Sequence, residues 1–218
     1  MIVIGLADVH GDTSSAARTL RAIERIDLVV LSGDLTHFGK QAQAVRTVEA
    51  VRKECDEILA VSGNCDHPEV EDYLIRSGIS LHRRCVLKDG YAFVGISGSL
   101  PCPGGTPNEA SESEFRRWLR EAAAAVPKEA PMILVAHQPP RDTVNDRIQS
   151  GIHVGSTAVR QFIEERQPLA CLTAHIHEGS GIDTIGRTTI LNPGPVREGR
   201  YAFLQLRDGE AFVEIKRA

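Results

Sequence analysis

The chain has 218 residues, 42% of them hydrophobic, and a formal net charge of −4. That length buries a substantial core and fits one domain over 1–218, since no Ser/Gly-rich or charged linker divides it. The charge balance supplies no basic stripe for tracking a nucleic-acid backbone, and no apolar run approaches the ~20 residues of a membrane span.

Ile2 to Ala7 is too short for a buried helix and reads as a buried strand, ending in Asp8-Val9-His10-Gly11-Asp12. With Asp12 or Thr13 as a cap, Ala16, Leu20 and Ile23 recur at helical spacing and predict a helix over roughly 14–25. Leu28 to Leu31 is the next strand and stops at Ser32-Gly33-Asp34; Ala44, Val48 and Val51 mark a second helix; Ile58 to Val61 is a third strand, stopping at Gly63-Asn64-Cys65-Asp66. Strand, helix, strand, helix, strand predicts a parallel sheet with right-handed crossovers. Asp66 or His67 can cap a helix with Pro68 at its first position and Gly78 at its end.

From Ile79 the pattern turns to short β-rich pieces, with Lys88-Asp89-Gly90 as a hairpin turn, and predicts a second, more antiparallel sheet. Ser99 to Asn108 is irregular and reads either as a lid or as a plain connection. Ser111 and Glu114 form a capping box for a helix that Pro127 ends. Met132 to Ala136 is a strand stopping at His137; Ser156 caps a helix bearing Val159, Phe162 and Ile163; and Leu169 to Thr173 runs into Ala174-His175-Ile176-His177. The pieces Ile182–Ile185, Thr188–Leu191, Tyr201–Leu206 and Ala211–Ile215 read as antiparallel strands with turns between them.

Five strand exits therefore carry Asp8/His10, Asp34, Asn64, His137 and His175/His177. In an open α/β sheet such exits line one edge, where sites form. On an extended chain Asp8 and His10 also point to the same side. Any one of these residues alone reads as a helix cap or a surface histidine; their convergence is the argument. Two carboxylates, one amide and four imidazoles suit Mn, Fe, Zn, Co or Ni better than calcium or an all-oxygen magnesium site. Seven donors exceed the need of one ion. Two divalent ions against two carboxylates leave a positive cavity for a phosphate anion.

These residues resemble the calcineurin-like metallophosphoesterases, whose pattern runs D-x-H, G-D, G-N-H-D/E, a later H, and G-H-x-H. Here the pattern is DVH at Asp8 to His10, GD at Gly33-Asp34, GNCD at Gly63 to Asp66, His137, and AHIH at Ala174 to His177. The resemblance implies a four-layer α/β/β/α sandwich. It implies that Asp8, His10 and His177 hold one divalent ion and Asn64, His137 and His175 a second, with Asp34 between them, manganese foremost among the metals. It further implies a metal-dependent phosphoesterase in which a hydroxide bridging the ions attacks phosphorus in line.

Cys65 stands where many of these enzymes carry a histidine proposed to protonate the leaving group, and a thiol with a reference pKa near 8.5 replaces it poorly. His67 or His153 can reach the leaving group instead. GNCD resembles a branch of small bacterial and archaeal phosphodiesterases, which favours a diester over a monoester. His37 reads as a rim residue or a solvated loop histidine. His153, just before a helix N-terminus where anions are welcome, reads as a substrate contact or a structural residue. Asn192 and Arg197, around Asn192-Pro193-Gly194-Pro195, read as substrate contacts or as a tight turn with a surface arginine.

The expected partner is a small phosphate ester, with no membrane. A nucleic acid would need a local basic contact, and the oligomeric state is not legible. The five cysteines form no CxxC pair, and the N-terminus does not read as a signal peptide, so the expected compartment is the cytoplasm. The competing reading is a protein-binding scaffold that keeps fold and metals, as in a eukaryotic retromer subunit that resembles these enzymes.

Overall fold

The apolar runs become strands buried on both faces, which is why they lack alternation with polar residues. In the computed structural model, which describes residues 1–218, β1 (Ile2–Leu6), β2 (Leu28–Ser32) and β3 (Ile58–Val61) pair in parallel. Between them lie α1 (Thr13–Arg21) and α2 (Gln41–Arg52), and α3 (Pro68–Arg76) follows β3. The second sheet contains β4 (Arg84–Lys88), β5 (Tyr91–Ile96), β6 (Met132–Ala136), β7 (Ala170–Leu172), β8 (Gly181–Ile185) and β9 (Thr188–Asn192), in the order β4-β5-β6-β7-β9-β8. Helices α4 (Glu112–Ala124) and α5 (Thr157–Arg166) cover its outer face. Finally β10 (Arg200–Arg207) returns to pair antiparallel with β1, and β11 (Glu210–Arg217) pairs with β10, completing a first sheet of order β11-β10-β1-β2-β3.

Period-two alternation assigns each side chain to a layer. Along β1 and β2, Val3, Leu28 and Val30 face the other sheet, while Ile4, Leu6, Val29 and Leu31 face α1, α2 and α3. Phe93, Ile133 and Val135 complete the inter-sheet core, and Val94, Leu134 and Ala136 pack beneath α4 and α5 with Phe115, Leu119 and Val159. The result is the expected α/β/β/α order of layers. At Gly5 a Cβ would stand 3.2 Å from Leu172 Cδ2 on β7 of the other sheet, so the sheets approach closely just before the β1 exit.

Three expectations change. The first helix stops at Arg21, because Ala22 to Ile26 turns the chain into β2. The second sheet is not chiefly antiparallel: β5, β6, β7 and β9 pair in parallel, and only its edge strands β4 and β8 run the other way. The last two strands leave it for the first sheet. Local patterning carries no information on such long-range pairing. No helix is long and apolar enough to cross a membrane, and all five cysteines are free thiols.

Candidate metal centre

All seven expected donors sit on loops leaving the carboxyl ends of parallel strands. The β1 loop is tied to the β2 loop by His10 N donating to the Asp34 carbonyl at 2.7 Å and Gly11 N to that of Leu35 at 3.0 Å. Asp8 and His10 do not share a side through extended geometry: β1 ends at Leu6, and both residues adopt left-handed backbone, φ 49° and 48°. Asp34 (48°) and His175 (70°) do the same. Left-handed conformations at residues other than glycine cost stability and concentrate at functional sites.

The donors fall into two groups with Asp34 between them. In one, His10 Nε2 lies 3.3 Å from His177 Nε2, and His177 Nε2 lies 3.8 Å from Asp8 Oδ2. In the other, His137 Nε2 lies 3.0 Å from Asn64 Oδ1. Asp34 points Oδ2 at His10 Nε2 (3.7 Å) and Oδ1 at His137 Nε2 (3.5 Å). His175 packs its ring 5.2 Å from that of His137, and its backbone N–H donates to Asp8 Oδ1 at 3.2 Å.

This arrangement is unfavourable without a cation and favourable with one. His137 Nδ1 lies 2.9 Å from the Ser32 carbonyl, which can only accept, so that nitrogen carries the proton and Nε2 presents a lone pair to Asn64 Oδ1 and Asp34 Oδ1. A histidine that fixes one nitrogen on a carbonyl and aims the other at oxygen donors has the form of a metal ligand. Asp8 Oδ2 and His10 Nδ1 are buried with no hydrogen-bond partner. Burial, and then the negative charge of Asp34, push the Asp8 carboxyl well above its ordinary range. Burial holds His10 and His137 down to about 4 and His175 to about 3, and lowers His177 as well, so all four rings are neutral and ligand-ready at neutral pH. The residues present therefore fit metal ions.

Glycines make room for this convergence. At Gly33, with φ +104°, a Cβ would stand 2.2 Å from His137 Nδ1; at Gly63 it would stand 2.0 Å from Asp34 Oδ1. Of the two expected caps of α3, His67 holds the position, without a side-chain hydrogen bond, and Asp66 does something else. Its buried carboxylate accepts from Gly63 N (2.9 Å), Leu35 N (3.0 Å), Thr36 N (2.8 Å) and Thr36 Oγ1 (2.7 Å), locking the β2 and β3 loops together.

The other expected residues divide. His37 is exposed with its ring 5.4 Å from that of His10, at the rim. Arg197 is exposed, and its charge offsets part of the rise at Asp8 and adds to burial in lowering His177. Asn192 is fully buried, with Nδ2 donating to the Ile176 carbonyl at 2.9 Å and Oδ1 accepting from Gly194 N at 2.8 Å; it shapes the loop carrying His175 and His177, leaving no amide free for substrate. The N-terminus of α5 already has its anion: Glu112 accepts from Ser156 Oγ, Thr157 N and Ala158 N. His153 instead pairs through Nδ1 with buried Asp146 at 2.6 Å. Cys65 Sγ lies beside His10 and Asp34, but burial first, and then Asp34, raise its thiol far above the ordinary range, so it holds its proton and is a poor acid.

Two features escaped sequence reading. The irregular stretch 99–108 is bound to the site: Asn108 donates through its backbone N to the Asn64 carbonyl (3.2 Å) and through Nδ2 to the Gly63 carbonyl (3.0 Å), and Leu100 N donates to Gln138 Oε1 at 3.0 Å. It also brings Cys102 Sγ to 3.8 Å from His175 Nε2. Its prolines and glycines signalled irregularity, but nothing local signalled where it docks.

Comparisons with known proteins show the family and the fold. The profile of the family described as calcineurin-like phosphoesterase matches residues 1–179. An uncharacterised protein of Methanocaldococcus jannaschii is 36% identical over 199 residues, covering 89% of this chain and 88% of its own. Among solved structures, the protein TT1561 of Thermus thermophilus shares the fold with TM-score 0.69 at 17% identity, covering 98% of this chain and 97% of that one. A structure described as a novel archaeal phosphodiesterase aligns with TM-score 0.51 at 13% identity, over 99% of this chain and 100% of that one.

Proposed function

Because the chain belongs to the calcineurin-like phosphoesterase family, a metal-dependent family of phosphoric ester hydrolases, we propose that it is a phosphodiesterase working through a dinuclear centre. The observation that carries this reading is the position of Asp34, with one carboxylate oxygen toward each of two groups of donors. Asp8, His10 and His177 would hold one ion, and Asn64, His137 and His175 the other. The mixed nitrogen and oxygen set suits manganese, with iron, zinc, nickel or cobalt as substitutes. When bound, two such ions supply positive charge for the phosphate oxygens and acidify a water nucleophile.

The chain's own residues do the rest. The Ser32 carbonyl fixes the tautomer and direction of His137. The Asp66 clamp sets the spacing of the loops that carry Asp34 and Asn64. Arg197 adds a cation beside Asp8 and His177, where it favours an anionic ester.

A preference for diesters with good leaving groups is supported by Cys65. With the thiol held neutral and hard to deprotonate, no efficient proton donor stands at that position. The fold shared with a solved archaeal phosphodiesterase supports the same preference. Five free thiols fit a reducing compartment such as the cytoplasm.

The test is hydrolysis of bis-p-nitrophenyl phosphate beside p-nitrophenyl phosphate, with metal-stripped protein refilled with manganese and Asp34→Asn as control. Diester turnover that needs metal, exceeds monoester turnover and disappears in the control is the expected result. Turnover of neither ester by metal-loaded protein overturns the assignment.

A further inference from the structure

A run of rings leads from the candidate metal centre out to solvent, from His10 on the β1 loop to His37 and Phe38 on the loop from β2 to α2. His10 lies edge-on to His37 with centroids 5.4 Å apart, and His37 lies edge-on to Phe38 at 5.0 Å. His37 is exposed and Phe38 is 50% exposed; no other large apolar side chain is exposed before Ile75.

A single exposed phenylalanine is ordinary on a protein surface. This one is held out at a cost. Phe38 has φ +54°, and while histidine and aspartate are enriched in left-handed backbone, a bulky aromatic there is an outlier. The surroundings impose it. Thr36 Oγ1 accepts from Gly39 N at 3.0 Å and donates to Asp66, whose carboxylate also fixes Leu35 N and Thr36 N, and His67 N donates to the Gly39 carbonyl at 3.2 Å. Residues on either side of Phe38 are thus anchored to the GNCD turn, which bears the candidate ligand Asn64. A loop built only to connect β2 with α2 has no need for a strained aromatic at its apex. One ring beside one imidazole is also far smaller than a stable protein interface requires.

We propose that His37 and Phe38 form a stacking subsite for a flat aromatic group carried by the phosphate ester, of which a nucleobase is the commonest biological kind. The inference rests on the phosphoesterase reading and narrows its substrate class. With the phosphate at the donor cluster, the ester's substituent on the His10 side runs along His37, and its flat group meets the face that Phe38 presents to solvent. Stacking needs no sequence-specific hydrogen bonds, so it asks for a base or aryl group rather than a particular one.

Calorimetric titration of the full chain loaded with manganese tests this apart from catalysis. The probes are 5′-deoxy-5′-(phosphonomethyl)adenosine, in which CH2 replaces the bridging 5′ oxygen of the nucleotide, and methylphosphonate, neither of which contains an ester bond. Wild-type protein is expected to bind the nucleoside phosphonate about five- to tenfold more tightly than methylphosphonate. That ratio should fall to near one in Phe38→Ala and be kept in Phe38→Trp. A ratio of one in the wild type, or a ratio that survives Phe38→Ala, overturns the subsite. If methylphosphonate binds only when metal is present but the ratio is one, the subsite fails while the phosphoesterase reading stands. If neither phosphonate binds and no diester is hydrolysed, both fail.

Discussion

Replacing Gly33 by alanine tests how closely the centre is built. Gly33 sits at φ +104°, where a side chain is strained, and a Cβ there would stand 2.2 Å from His137 Nδ1, 2.6 Å from Cγ of the same ring and 3.0 Å from Gly63 Cα. The ring has nowhere to go: His137 is fully buried, and Nδ1 is held at 2.9 Å by the Ser32 carbonyl. Backbone strain and overpacking together cost about 3–5 kcal/mol, or a fall on the order of 10 °C in the thermal midpoint for a chain of this size. The displaced ring also carries Nε2 away from Asn64 and Asp34. Calorimetric titration with manganese should therefore show one weakened site, by more than about tenfold, and one site near wild type, since Asp8, His10 and His177 are untouched. Gly11→Ala is the control: it too has positive φ (+77°), but nothing lies within 4 Å of its Cβ. It should lose only about 1 kcal/mol and bind both ions. If Gly33→Ala melts with the wild type and binds two ions equally well, the claim that this glycine places a ligand is wrong.

Metal affinity should rise with pH, through the carboxyl rather than the imidazoles. Burial holds His10 and His137 down to about 4 and His175 to about 3, so above about pH 5 these three release nothing on binding, and burial lowers His177 in the same direction. Asp8, pushed up by burial and by Asp34, holds its proton to higher pH than an ordinary carboxyl, and a cation must displace it. Manganese titrations at pH 6 in buffers of different ionisation enthalpy should show proton release that Asp8→Asn reduces; no release would mean Asp8 is ionised in the free protein. Cys65→Ala should change kcat on bis-p-nitrophenyl phosphate by less than about threefold, since a working proton donor is worth about a hundredfold or more. A loss of that larger size would make the thiol a participant. Asp66→Asn turns an NH2 group toward donors that now bond a carboxylate, at about 2–4 kcal/mol. Hydrogen exchange at Leu35 and Thr36 should quicken, and unchanged exchange would show that the clamp is not what holds the loop.

The candidate metal ligands were legible because strand exits are local: a short apolar run broken by Asp, Asn or His is visible in a few residues. What brings those exits together was not. That Asp8 and His10 converge through left-handed backbone, that Asp66 serves the β2 loop thirty residues upstream of it, and that Glu112 occupies the α5 N-terminus at which His153 was aimed, all depend on tertiary partners. The same holds for β9, whose alternation fixes a strand but not whether its neighbour is parallel. Phe38 escaped notice because an aromatic between a histidine and a glycine carries no sign of its backbone conformation.

The central claim, that Asp34 stands between two ions, is tested most directly by electron paramagnetic resonance of the protein titrated with manganese. Two ions per chain with an exchange-coupled spectrum, lost in Asp34→Asn, is the result the account predicts. An isolated single-ion spectrum with one manganese per chain at saturation would contradict it.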